Sequence, residues 1–200
     1  MHRLVALGIA VVTWLGLGVQ FGASVEQTGT VGDALWVMLR YFTVIANILV
    51  ALVFTLIATG RGDSSRVLGG VTVAILLVGI VYGVLLDGLL SLSGGAWVAD
   101  MVLHRIVPLL VALYWLGLAP RGGLAWKDPL AWVLLPLCYF GYALVRGAVE
   151  GRYAYPFLDG PAIGWGVVIA HAAVMAAGFL GVGFAMVWLD RYLARAFHVA

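Results

Sequence analysis

Residues 36–53 read WVMLRYFTVIANILVALV. The stretch is apolar enough to cross a bilayer, whose hydrocarbon core takes about 20 helical residues. Yet Arg40, Thr43 and Asn47 recur at i, i+3 and i+7, which on a helix is a single stripe. An arginine, a hydroxyl and an amide on one side of a membrane helix need partners.

The rest of the chain repeats this apolar composition. Of 200 residues, 64% are hydrophobic and 10% charged, and the mean hydropathy is +1.10. A soluble domain carries about 25% charged residues. The deficit predicts an all-α polytopic membrane protein, built as one domain over residues 1–200. Apolar runs separated by Gly, Pro, Ser and charge predict six spans, at 3–23, 34–59, 68–90, 99–119, 130–149 and 163–189. The basic, apolar N-terminus lacks a small-x-small cleavage site and reads as an uncleaved first helix. Pro108 and Pro136 fall inside spans and predict kinks there. A net charge of +2 implies no nucleic-acid partner, and the single cysteine, Cys138, excludes an internal disulfide and a CxxC motif.

Charge placement predicts orientation. Arg3, Arg61 with Arg66, Arg121 with Lys127, and Arg191 with Arg195 alternate onto one side. Glu26, Asp33, Glu150, Arg152 and Asp159 fall on the other. The positive-inside rule then puts both termini in the cytoplasm, as an even number of spans requires. In that frame Arg40, Thr43, Asn47, Asp87, Asp100, His104, Arg105, Arg146, Glu150 and His171 all lie within about 5–20 Å of the outer helix ends. The inner halves are nearly pure hydrocarbon. A charge at mid-bilayer costs about 2.5–3.5 kcal/mol, so the shared level predicts a polar cavity facing the outer side.

Which chemistry this kit performs stays open from the residues alone. Thr43 can bond its own backbone, Arg40 can snorkel, and Asn47 can clamp two helices. Asp100 lies four residues before His104, so a carboxylate can orient the imidazole and leave one nitrogen as a base. A structural histidine has the same spacing. His171 reads as a packing residue, Arg146 and Glu150 as an i,i+4 ion pair, and YAYPFLDGP as an aromatic belt or a lid. His2 and His198, at the termini, carry no weight. No metal-ligand spacing such as HExxH occurs, and no GxSxG elbow. Paired axial ligation of haem by His104 and His171 is the one cofactor the residues admit; none is expected.

RYFTVIANILVAL, HRIVPLLVALYWL and YAYPFLD, in that order along the chain, resemble blocks of the androgen-induced and androgen-dependent membrane proteins and their bacterial relatives. The animal members are six-span threonine hydrolases that cleave fatty acid esters of hydroxy fatty acids. The resemblance, closest to the bacterial branch, implies a nucleophile at Thr43, a general base at His104 and a lipid-ester substrate, in a bacterial cytoplasmic membrane. Arg40, Asn47, Asp100, Arg146 and His171 would then support the site or bind substrate. The alternative is a non-enzymatic lipid-binding or transport protein using the same cavity.

Overall fold

The computed structural model describes residues 1–62, 64–89 and 91–198, without the side chains of Phe197 and His198. Leu90, the expected outer limit of the third span, and the His198 side chain lie outside the described residues. Among the described residues ten α-helices follow one another: α1 (His2–Thr28), α2 (Val31–Met38), α3 (Phe42–Ala58), α4 (Ser65–Val81), α5 (Gly94–Met101), α6 (Val107–Leu118), α7 (Asp128–Trp132), α8 (Leu134–Glu150), α9 (Gly160–Ile163) and α10 (Trp165–His198). No strand occurs among the described residues. Five segments of the described residues are long and apolar enough to cross a membrane: His2–Thr28, Ser65–Leu86, Gly94–Leu118, Asp128–Glu150 and Trp165–Ala196. The pair α2 and α3 passes the same test jointly. The protein is an all-α polytopic membrane bundle.

Its packing suits a lipid solvent. Ala6, Ala10, Ala46, Ala51 and Ala74 are buried, whereas Val84, Val149 and Val174 are largely exposed. Hydrocarbon outside removes the hydrophobic drive between helices, so small residues that let backbones approach form the seams. Both described termini sit at one end of the bundle. A methyl added at Gly60 would meet the Arg3 guanidinium at 3.0 Å, and one at Gly122 would meet the Ala194 Cβ at 3.3 Å. At that end the Leu124 N–H also donates to Asp190 Oδ2 at 3.1 Å.

The expected straight span over 34–59 is a correction. Helices α2 and α3 meet at 95°, with Tyr41 in an extended conformation (φ −101°, ψ 131°) between them. Arg40 sits in the bend, so the stripe of Arg40, Thr43 and Asn47 does not exist as one helical face. The bend persists because α8 satisfies the carbonyls it frees. Tyr139 hydroxyl donates to Arg40 O at 2.7 Å, Tyr142 hydroxyl to Leu39 O at 3.1 Å, and Arg146 Nη2 to Trp36 O at 2.6 Å. Irregular backbone survives at membrane depth only where protein supplies such partners.

A second irregularity carries His104. The span Gly94–Leu118 contains a π-helical turn, Val102–Ile106, just before Pro108. Two glycines let neighbours close on that turn. A Cβ at Gly16 of α1 would overlap Val102 Cγ1 at 2.6 Å, and one at Gly79 of α4 would meet Pro108 Cβ at 3.1 Å. Ser65–Leu86 likewise ends in a π-helical turn, Tyr82–Leu86.

Candidate active site

Thr43 stands in the first turn of α3, where the bend delivers it to the π-helical turn of the neighbouring span. Its Oγ1 lies 3.1 Å from His104 Nε2. On the other side of the imidazole, Nδ1 is 3.1 Å from Asp100 Oδ1 and 3.2 Å from the Asp100 carbonyl. Two acceptors flank Nδ1, so the ring proton belongs there and the Nε2 lone pair faces the threonine hydroxyl. Tyr82 hydroxyl donates to Asp100 Oδ2 at 2.6 Å, and its ring stacks on His104 with centroids 4.2 Å apart. The imidazole is therefore held in plane and in tautomer by two neighbours. Tyr82 is also covered by Arg105, which pairs with Asp87 at 2.5 Å.

Asn47 is fully buried one turn further along α3. Its Nδ2 donates to Thr43 O at 2.8 Å and to Leu103 O at 3.2 Å. It ties α3 to the π-helical turn and fixes the Thr43–His104 spacing from behind. Of the two roles open to it, the clamp is the one its contacts serve.

Arg40 and Arg146 form a separate network. Both pair with Glu150, Arg40 through Nη2 and Arg146 through Nε at 2.6 Å. Arg146 also donates to Tyr142 hydroxyl at 2.6 Å and lies over the Trp36 ring at 4.1 Å. The expected i,i+4 pair at the interface thus becomes a half-buried cluster that locks α2 to α8. His171 belongs to neither network; its Nδ1 lies 3.4 Å from Phe157 O, and its ring meets Phe157 edge-on.

A cavity opens beside Thr43, between α3, α4, α8, α10 and the connecting segment 151–164. Its space, open mouth included, is about 730 Å³. Among its lining residues only Thr43, Tyr139 and Tyr155 carry hydroxyls; the rest, such as Leu77, Val81, Phe140 and Met175, are apolar. The polar groups expected to share a cavity are paired off instead, and the space they leave is a hydrocarbon slot with a reactive hydroxyl on its wall. Desolvation explains the arrangement: unpaired charges facing such a slot would be costly.

Sequence reasoning missed Tyr82 and Tyr139, and took Tyr155 only as part of an aromatic belt or lid. Tyr155 hydroxyl accepts from Phe42 N–H at 3.0 Å, capping the free first donor of α3. Its ring stacks on Phe157 at 4.9 Å. Burial pushes the Tyr155 phenol above its ordinary range, so it stays protonated. The signal was present in YAYPFLD, whose aromatics suit a lining as well as a belt. Among the described residues no group of three His, Cys, Asp or Glu is placed to hold a metal ion. Known protein families, curated proteins and solved structures gave no match to this chain.

Proposed function

We propose that this protein is an intramembrane hydrolase of lipid esters, with Thr43 as nucleophile and His104 as general base. The observation that carries the reading is the 3.1 Å contact between His104 Nε2 and the Oγ1 of Thr43, a residue on the wall of an apolar cavity. A threonine hydroxyl is nearly inert without an adjacent base, and a base is activated by a third group that orients it. Asp100 and Tyr82 supply that orientation. A lipid-binding or transport protein would use the same apolar slot, but would have no need of the Thr43–His104–Asp100 chain. The resemblance of RYFTVIAN and HRIVPLL to the androgen-induced and androgen-dependent family supports the same two residues.

The steps follow from the geometry. An acyl chain fills the slot and sets its ester carbonyl against Thr43. Oγ1 bonds to the carbonyl carbon while its proton passes to His104 Nε2. The resulting imidazolium is stabilised by the Asp100 carboxylate. Collapse breaks the carbon–oxygen bond to the alcohol, which leaves with the proton from Nε2. Water, deprotonated by the same nitrogen, then cleaves the acyl-threonine and releases a fatty acid. With the basic loops facing the cytoplasm, the chemistry lies in the outer half of a membrane such as the bacterial cytoplasmic membrane.

The test is turnover by purified protein, in lipid, of a panel of fatty acid esters, including esters of hydroxy fatty acids. It is paired with fluorophosphonate labelling and with mass spectrometry of the labelled peptide. Cleavage with label on Thr43, lost in Thr43→Ala, is the expected result. Binding of lipid without cleavage of any ester would favour the transport reading, and labelling undiminished in Thr43→Ala would remove Thr43 as nucleophile.

A further inference from the structure

A tetrahedral intermediate at Thr43 needs a donor for its oxyanion, and removing one such donor elsewhere costs about 10²–10³-fold in rate. The residues first suited to that task are placed elsewhere: Asn47 Nδ2 bonds two carbonyls, and Arg146 and the Arg40 Nη2 pair with Glu150, the other Arg40 nitrogens being buried away from the cavity. Neither Asn47 nor Arg40 lines the cavity. The donor has to come from the cavity wall itself.

Three hydroxyls stand on that wall. Thr43 is the attacking group. Tyr139 gives its proton to Arg40 O at 2.7 Å. Tyr155 accepts from Phe42 N–H at 3.0 Å, which uses a lone pair and leaves its own proton to give. The phenol oxygen also interacts with the side chain and backbone of Thr43 and with the Tyr139 hydroxyl. We infer that Tyr155 is the oxyanion donor of this site, its O–H turning to the carbonyl oxygen as the acyl adduct forms. This rests on the hydrolase reading above.

The geometry makes the rotation small. The nucleophile's oxygen and the oxyanion share one carbon in the adduct, so a donor beside the first is beside the second. Attack forms the Oγ1–carbon bond, the carbonyl π pair moves onto oxygen, and the Thr43 proton goes to His104 Nε2. Tyr155 keeps its proton throughout and only donates a hydrogen bond. The Phe42 N–H behind it polarises the phenol towards donation. Stacking on Phe157 at 4.9 Å holds the ring while the hydroxyl turns.

The test is Tyr155→Phe in the full-length protein in lipid, beside Thr43→Ala. Phenylalanine keeps the ring and its stacking. The expected result is a fall of about 10²-fold in kcat and in fluorophosphonate labelling, with KM within about threefold, in a protein that still folds but melts somewhat lower because the Phe42 N–H loses its acceptor. A kcat within about threefold of wild type, with Thr43→Ala inactive, would overturn the Tyr155 assignment and leave the hydrolase reading standing. A change confined to KM would overturn it in the same way. Turnover that survives Thr43→Ala would overturn both. Should Tyr155→Phe misfold, 3-fluorotyrosine at position 155 keeps the hydroxyl and alters only its acidity; a labelling rate that shifts with that acidity supports the assignment, and an unshifted rate overturns it.

Discussion

Arg40 and Thr43 stand three residues apart, yet their networks end in opposite conditions. The Arg40 side closes on itself: Glu150 is taken by two arginines, and the carbonyls freed at the bend are capped from α8. The Thr43 side runs Tyr82, Asp100, His104, Thr43 and then stops at an apolar slot. The closed network spends its carboxylate, its tyrosine hydroxyls and the paired ends of its arginines on holding a 95° bend, while Arg40 Nε and Nη1 stay buried without a partner among the described residues. The open one keeps a hydroxyl and a free imidazole lone pair for something that enters from the membrane. Holding the bend and doing chemistry are separate tasks here, assigned to neighbouring residues.

That division can be broken by substitution. His104→Gln keeps a side chain able to hydrogen-bond Thr43 but removes the base. Turnover should fall by at least about 10³-fold, read with the ester panel, while the melting temperature stays near wild type. Asp100→Asn removes the charge that stabilises the imidazolium and should reduce turnover by about 10²-fold or more, again in folded protein. Glu150→Gln acts on the other network. It leaves two arginines without a counter-charge, so the melting temperature in detergent should drop by about 5 °C or more. The protein that remains folded should still label at Thr43 near the wild-type rate. A loss of labelling with no loss of stability would show that the two networks are one. Asn47→Ala removes the interhelical hydrogen bond behind the Thr43–His104 pair; it should cost about 1 kcal/mol in denaturant unfolding and lower turnover by less than Asp100→Asn does.

The two irregularities explain why the site was partly legible. Asp100 and His104 meet at i,i+4, a spacing that any helix imposes, and the π-helical turn between Val102 and Ile106 leaves the pair intact at 3.1 Å. Thr43 was legible through the resemblance carried by RYFTVIAN and through a stripe shared with Arg40, and of these the stripe is cut at Tyr41. Tyr155 was visible only as one aromatic among several. Its place on Phe42 N–H depends on where the segment 151–164 folds back.

Composition and hydropathy, summed over about 20 residues at a time, determined on their own that the chain is a helical membrane bundle and where its crossings fall. Those are averages over local sequence, so no distant residue can change them. The bend, the cavity and the Thr43–His104 contact were decided only in the folded molecule. The side chains that cap the bend lie 99 to 110 residues further along the chain, and Thr43 and His104 are 61 residues apart. A backbone can leave the helix inside a membrane only if something else meets its carbonyls, and which residue does so is a property of the whole bundle.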